Sequence, residues 1–103
     1  MENYSNSKIY RIVPSGEFDE GDIYIGSTTT HDLQERLAYH INNYSKICKK
    51  YIFASEELFN KYGAHNCKIE LIELFPCNSK EVLIKRECEI IRQSFCINRK
   101  YFI

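Results

Sequence analysis

The sequence reads Lys8-Ile9-Tyr10-Arg11-Ile12-Val13, then a turn at Pro14-Ser15-Gly16 and an acidic loop, and then Asp22-Ile23-Tyr24-Ile25-Gly26-Ser27. Isoleucine, valine and tyrosine favour strands, and the proline and glycine between the two segments favour a reversal of the chain. We therefore predict a β-hairpin with strands over residues 8–13 and 22–27. Side chains two residues apart share a face of a strand. Tyr10 and Tyr24 are accordingly predicted to stand close together on one face.

The remainder of the chain alternates helical and extended patterns. Asp32 and Glu35 resemble a capping box, and Asn78 followed by Glu81 resembles a second one. The patterns predict helices over 33–44, 55–62 and from 78 to 93 or 94, a third strand over 67–75, and an apolar tail over 95–103 that packs back on the body. We predict one α+β domain over residues 1–103, with about three strands and three helices.

Glu87 is a carboxylate at a position that the apolar periodicity of the last predicted helix assigns to the core. The apolar residues of that helix follow a period of about 3.6 and comprise Leu83, Ile84, Ile90, Ile91 and Phe95. Glu87 falls in the middle of this face, whereas Glu89 points toward water. An ionised carboxylate in an apolar face is costly unless a cation or several donors compensate it. Glu87 is therefore a candidate metal ligand, and the alternative is a buried ion pair with an arginine such as Arg36.

Arg36 and His40 are four residues apart in the first helix, so they project from the same flank beside its apolar stripe. An arginine in this position can clamp a phosphate, because its planar fork stays charged and donates to two oxygens. The ordinary alternatives are a solvated arginine and a half-buried structural histidine. Packing for strand propensity is likewise the ordinary alternative for Tyr10 and Tyr24.

Bulk composition limits the classes of function. The 103 residues carry 14 basic and 14 acidic side chains, which argues against strong nonspecific attraction to nucleic acid but leaves room for a local basic patch. Residues 36–50 contain no acid. Five cysteines without a CxxC pair indicate neither a zinc nor a disulfide framework. With no signal peptide and no long apolar run, we expect an intracellular protein of the cytoplasm or nucleus, in a reducing compartment.

The order and spacing of five separated elements resemble the GIY-YIG nuclease family. The elements are Lys8-Ile9-Tyr10, Tyr24-Ile25-Gly26-Ser27, the pair Arg36 and His40, Glu87, and Asn98. The likeness extends over nearly the whole chain. Two departures are visible: Lys8 replaces the glycine of the first motif, and the interval from Tyr24 to Arg36 is slightly long, which a longer turn through Thr28-Thr29-Thr30 would absorb. Neither departure removes a functional side chain.

The resemblance implies a small three-stranded antiparallel sheet flanked by about three helices, and a metal-dependent DNA endonuclease that hydrolyses phosphodiester bonds. Tyr10 is then the general base, assisted by His40, and Tyr24 orients the water or the phosphate. Glu87, the only carboxylate that we place in the site, implies a single Mg²⁺ or Mn²⁺. The catalytic candidates are Tyr10, Tyr24, Arg36, His40, Glu87 and Asn98, the last of which would bond backbone groups near Glu87.

Contacts with the DNA backbone are predicted for basic residues outside the catalytic set, namely Lys46, Lys49, Lys50 and Arg86. No residue is evident for reading bases, so we expect cleavage guided by DNA shape, by a targeting protein or by self-association. Short stand-alone copies of this domain are typical of viruses and mobile elements. The main alternative is a non-catalytic module that keeps the fold and binds nucleic acid or a protein. A small structural protein with a satisfied polar interior is a third possibility.

Overall fold

The computed structural model describes residues 3–46 and 53–101. Strands β1, β2 and β3 span Lys8–Pro14, Tyr24–Thr28 and Cys67–Leu74, and helices α1, α2 and α3 span Leu33–Ser45, Glu56–Tyr62 and Lys80–Gln93. Short 3-10 helices cover Tyr4–Asn6, Ala64–Asn66 and Ile97–Tyr101. Lys49, Lys50 and the last two residues of the apolar tail lie outside the described residues. The predicted α+β fold with an antiparallel three-stranded sheet is confirmed.

The sheet has the order β2-β1-β3, with β1 in the centre and both pairings antiparallel. In the register of the hairpin, Tyr10 lies opposite Gly26 and Ile12 lies opposite Tyr24. This places Tyr10 and Tyr24 on the same face of the sheet, as predicted. Their ring centroids are 6.3 Å apart.

Two apolar cores lie on opposite faces of the sheet, because successive side chains of a strand alternate between its faces. One core joins Tyr10 and Ile12 to α1 and α2 through Leu37 and Phe59. The other joins Ile9 and Ile25 to α3 and the segment after it, through Leu83, Ile90, Ile91 and Cys96. The sheet is therefore covered on both faces, and α3 packs against β2.

The apolar face of α3 differs from the prediction at two positions. Leu83, Ile90 and Ile91 are buried, but Ile84 is 40% exposed and Phe95 is 62% exposed. Phe95 follows the end of the helix at Gln93, so the helical period no longer applies to it. The first turn also differs, since Ser79 rather than Asn78 caps the helix by accepting a hydrogen bond from the Val82 amide.

The hairpin's second strand begins two residues later than predicted. The amides of Asp22 and Ile23 donate to the carbonyls of Asp19 and Gly21 in a turn, so they do not start the ladder. Gly21 has a φ of 91° there, a conformation that favours glycine.

The segment after α3 closes the outer edge of β2. The Ile97 amide donates to the Ile23 carbonyl, and the Asn98 side-chain amide pairs with both backbone groups of Ile25 at 2.8 and 2.6 Å. An edge strand otherwise presents unpaired amides and carbonyls. Asn98 thus stands in for the missing neighbouring strand at one residue.

In the described ranges, the four cysteines are free thiols: Cys67, Cys77, Cys88 and Cys96. None of the helices described is long and apolar enough to cross a bilayer.

Candidate active site

A cavity of about 330 Å³ opens between β2, the amino-terminal half of α1 and α3. Its walls include four of the six predicted catalytic residues, namely Tyr10, Tyr24, Arg36 and Glu87. The other two do not line it: His40 lies behind Tyr10, and Asn98 holds the outer edge of β2. Side chains separated by as many as 77 positions in the sequence, from Tyr10 to Glu87, therefore share one cavity.

Tyr10 is the centre of a buried polar chain. Its hydroxyl lies 2.7 Å from Nε2 of His40, whose Nδ1 lies 2.9 Å from the Ser55 hydroxyl. Arg36 Nε donates to the same Tyr10 oxygen at 3.2 Å. The predicted placement of Arg36 and His40 on one flank of α1 is confirmed, and the two side chains converge on a single phenol.

Burial is the main cause of the shifted pKa values of Tyr10 and His40. It raises the pKa of Tyr10, and the nearby Arg36 guanidinium opposes that rise without overcoming it. Burial, assisted by the Arg36 charge, lowers the pKa of His40 to about 3. At neutral pH the chain therefore consists of a protonated phenol beside a neutral imidazole.

Tyr24 is also held in its protonated form. Burial raises its pKa well above the usual range, and the neighbouring Tyr10 and Glu87 charges add to the rise. The Tyr24 ring packs edge-on against His40, with ring centroids 5.3 Å apart. A phenol in this state keeps its proton and can act as a hydrogen-bond donor, and its hydroxyl is hydrogen-bonded to that of Tyr10.

Arg36 is held in place by aromatic rings as well as by Tyr10. Its guanidinium carbon lies 5.1 Å from the centroid of the Tyr39 ring and 5.7 Å from that of Phe53. Within the described part of the chain, its two terminal nitrogens have no hydrogen-bond partner. Two donors thus stay available on a side chain whose orientation is set by packing.

Glu87 reaches the cavity from the third turn of α3 and accepts a hydrogen bond from the Ser27 hydroxyl. Burial raises the pKa of Glu87, while Ser27 and the Arg36 charge oppose the rise. Arg36 and Glu87 are both described, and they form no ion pair. The alternative of a buried Arg36–Glu87 ion pair is therefore wrong, and Ser27 is the direct partner of the carboxylate.

The donor set around Glu87 fits a hard divalent cation. Mg²⁺ prefers oxygen ligands and usually keeps several waters, binding through one or two carboxylates and substrate oxygens. Glu87 offers one carboxylate beside the Ser27 hydroxyl, and no cluster of three or more histidine, cysteine or acidic residues exists among the described residues. A half-buried carboxylate with a raised pKa is also a group that a bound cation would compensate.

Gly26 is required for the position of Tyr10. A Cβ atom built at Gly26 would lie 2.5 Å from the Tyr10 hydroxyl oxygen and 2.6 Å from the ring carbon that bears it. These distances are far shorter than van der Waals contacts. Glycine at position 26 therefore leaves the space that the end of the Tyr10 side chain occupies.

Lys8, which stands where the family's first motif has glycine, is buried and reaches the long β2–α1 turn. Its Nζ donates to the carbonyls of Thr30 and His31 at 2.6 and 3.3 Å. The Thr28 hydroxyl bonds both the amide and the hydroxyl of Thr30 in the same turn. The two departures from the family pattern, Lys8 and the longer turn after β2, are therefore in contact. Lys8 holds this turn, which forms a wall of the cavity.

Of the predicted DNA-contact residues, the two that the structure describes, Lys46 and Arg86, do not line the cavity. Lys46 is exposed at the end of α1, and Lys49 and Lys50 fall outside the described residues. Arg86 makes a two-pronged ion pair with Glu73, at 2.7 Å for each contact. Phosphate binding by these residues stays a prediction. To bind a phosphate, Arg86 would have to break its ion pair with Glu73.

Among the residues that line or support the cavity, sequence patterns did not identify Lys8, Ser27, Ser55 and Lys80. Ser27 directly follows the Tyr24-Ile25-Gly26 motif, and this adjacency is a signal that could have found it. Ser55, the residue before α2, contacts His40 of α1 at a separation of 15 residues, a pairing that no local pattern encodes.

Fold and site together define an α+β domain with one carboxylate, one arginine and three tyrosines around a common cavity, the third tyrosine being Tyr4. The family model for the GIY-YIG catalytic domain matches residues 6–100, so this chain belongs to the GIY-YIG family. The family is one of nucleases, and its membership indicates a nuclease-type function that acts on DNA. No curated protein and no solved structure gave a match.

Proposed function

We propose that this protein is a divalent-metal-dependent DNA endonuclease that hydrolyses phosphodiester bonds with Tyr10 as general base. The observation that carries the proposal is the convergence of Tyr10, Arg36 and Glu87 on one cavity, with His40 directly behind Tyr10. Hydrolysis needs a group that takes a proton from water, a clamp on the phosphate and compensation of the growing negative charge. Each of these needs has a residue in the cavity.

Tyr10 is favoured over Tyr24 as the base because Tyr10 is hydrogen-bonded to the imidazole of His40. Arg36 Nε donates to the Tyr10 oxygen, so we assign the Tyr10 proton to the bond with His40 Nε2. The imidazole proton then lies on Nδ1 and is donated to Ser55. In this arrangement Tyr10 takes a proton from the attacking water as its own proton moves to His40. No free phenolate has to form, but the transfer leaves an imidazolium on His40, which burial and the Arg36 charge oppose. The negative charge of the bound phosphate therefore has to compensate that imidazolium.

Tyr24 and Arg36 act on the phosphate. Tyr24 keeps its proton because its pKa is raised, and it donates to the water or to a phosphate oxygen. Arg36 places its two terminal nitrogens on the non-bridging oxygens, whose charge grows in the transition state. The rings of Tyr39 and Phe53 fix the guanidinium beforehand, so little ordering is needed during the reaction.

Glu87, oriented by Ser27, would hold the cation. When bound, the cation supplies positive charge that neutralises the phosphate oxygens. Glu87 must be ionised to bind it. The cation therefore offsets the cost of ionising this half-buried carboxylate.

Cleavage by the purified protein tests the proposal. Duplex, flap, branched and single-stranded DNA, together with RNA, are incubated with Mg²⁺ or Mn²⁺ at low salt, and the products are resolved on denaturing gels. Glu87→Gln is expected to lower cleavage by at least ~100-fold, because it removes the charge that binds the cation. Glu89→Gln is the matched control, since Glu89 is an exposed carboxylate on the same helix that does not line the cavity.

The proposal fails if Glu87→Gln cuts as fast as Glu89→Gln while both melt at the temperature of the unaltered protein. It fails also if the unaltered protein binds DNA in a salt-sensitive way but turns over none of the substrates. That second result would indicate the non-catalytic binding module.

A further inference from the structure

The cavity continues past Glu87 toward the amino end of α3. Lys80, Ile84 and Glu87 all line it, at spacings of four and three residues, so they form one face of the helix. Seven residues of helix separate the Cα atoms of Lys80 and Glu87 by roughly 10 Å. The face thus presents a cation, an exposed apolar side chain and a carboxylate in a row.

Lys80, Lys85 and Arg92 of α3 form no ion pair among the described residues, and of these three only Lys80 lines the cavity. Arg86 is paired with Glu73, and Lys61 bridges Asp19 and Asp22 on another side of the molecule. Within the described ranges, Lys80 forms no ion pair, and its side chain is exposed. Its charge is therefore available to a ligand in the cavity.

We infer that Lys80 binds a phosphate of the cleaved strand that neighbours the scissile phosphate. The inference rests on the proposed function. A nucleic acid backbone alternates charged phosphates with apolar sugar carbons, and the row from Glu87 through Ile84 to Lys80 alternates in the same way. Ile84 packs against the sugar between the two phosphates, which accounts for its exposure in the free protein.

The chemistry of lysine assigns this contact to phosphate rather than to a base edge. An ammonium group is a point charge on a flexible stem, which suits phosphate oxygens and carries no base information. The subsite accordingly adds affinity and sets the register of the strand in the cavity. It adds no sequence preference.

Lys80→Ala is the variant that tests this subsite, and Lys85→Ala is the matched control. Lys85 is an exposed lysine on the same helix that does not line the cavity. Relative to Lys85→Ala, Lys80→Ala is expected to raise KM by about 3- to 10-fold with little change in kcat. The slope of log affinity against log salt should fall by about 1 for the loss of one phosphate contact.

Thermal unfolding separates this role from a structural one. Lys80 is the first residue of α3, where a positive charge opposes the helix dipole. Lys80→Ala is therefore expected to melt at or above the temperature of the unaltered protein. A lower melting temperature would show that the lysine supports the fold.

Substrates carrying one neutral methylphosphonate at each neighbouring position identify the phosphate. For one of these positions, the unaltered protein and Lys85→Ala should show a raised KM, whereas Lys80→Ala should show no further rise. Two results would overturn the inference while leaving the proposed function intact, provided that the unaltered protein cleaves DNA. In the first, Lys80→Ala and Lys85→Ala have the same KM. In the second, every methylphosphonate raises the KM of Lys80→Ala as much as it raises that of the unaltered protein. If the unaltered protein cleaves nothing, the proposed function fails and the subsite fails with it.

Discussion

At the scale of single residues, the contact between Gly26 and Tyr10 gives a direct prediction. Gly26→Ala places a methyl carbon 2.5 Å from the Tyr10 hydroxyl oxygen, so the phenol must move away from β2, and its hydrogen bond with His40 is disturbed. We expect kcat to fall by at least tenfold and the free energy of unfolding to fall by about 1–3 kcal/mol. Cleavage kinetics and urea unfolding measure the two effects.

Gly16→Ala is the control for this substitution, because a Cβ atom at Gly16 meets nothing within 4 Å. It should leave both activity and stability unchanged. Equal kcat values for the two alanine variants would show that the Tyr10 position does not limit the reaction.

Lys8 gives a second prediction at this scale. Lys8→Met keeps a long side chain but removes the donors to the Thr30 and His31 carbonyls. A hydrogen bond to a charged group is worth about 1.5–3 kcal/mol, and less at these partly buried carbonyls, where water can replace the lysine. The turn that forms a wall of the cavity also loses its tether. We expect lower stability in urea and a raised KM.

Lys68→Met serves as the comparison, since Lys68 is exposed on β3 and makes a single long ion pair with Glu70. Its loss should cost well under 1 kcal/mol. If Lys8→Met costs no more than Lys68→Met, the tether does not contribute to the stability of the fold.

At the scale of elements, the outer edge of β2 depends on Asn98. Asn98→Ala leaves the amide and the carbonyl of Ile25 without their partner in a buried position. We expect a loss of about 2–4 kcal/mol in the free energy of unfolding, for two unsatisfied groups. The exposed edge should also favour self-association, which light scattering at increasing concentration measures.

Asn78→Ala provides the comparison for both observations. Asn78 is exposed, and Ser79 rather than Asn78 caps α3. The substitution should therefore be nearly neutral. A large loss of stability in Asn78→Ala would contradict the assignment of Ser79 as the cap.

At the scale of the whole molecule, the two-sided sheet buries His40 in a neutral form, and this makes stability depend on pH. The pKa of His40 is about 3 in the folded protein and 6.5 for the free side chain. Between these values the unfolded chain binds the proton and the folded protein does not, so protonation favours unfolding. We expect the free energy of unfolding to fall as the pH drops below about 6.5, measured by urea unfolding at several pH values.

Three carboxyl groups with shifted pKa values also change the free energy of unfolding as the pH falls. The raised pKa of Glu87 works in the opposite sense, because the folded protein then holds that proton more tightly. The lowered pKa values of Glu70 and Glu73, caused mainly by Arg11 and Arg86, contribute stability that is lost only as the pH falls below about 4.5. The window between pH 5 and 6.5 therefore isolates His40 and Glu87.

Two histidine variants complete this test. His40→Gln should flatten the decline between pH 6.5 and 5, whereas His65→Gln, at an exposed position, should keep it. An unchanged pH dependence in His40→Gln would assign the decline to another group.

Local pattern was sufficient for most elements of this fold. The periodicities placed all three helices and three strands, and they grouped Tyr10 with Tyr24 and Arg36 with His40, because residues close in sequence are related by the geometry of a single strand, hairpin or helix. The helical period wrongly placed Phe95 and Ile84 on the buried face of α3, because both side chains are exposed. A helical period says nothing about where the helix ends or where its neighbours leave a cavity.

The amino-acid sequence by itself determined the class of fold, the family and four of the side chains that share the cavity. Only the tertiary structure decided that Ser27 rather than Arg36 holds Glu87, that Ser55 supports His40, that Lys8 secures the turn of threonines, and that Asn98 closes β2. These contacts join residues of different elements. Hydrogen bonds and burial between different elements depend on how these elements pack. The periodicity of the sequence does not predict that packing.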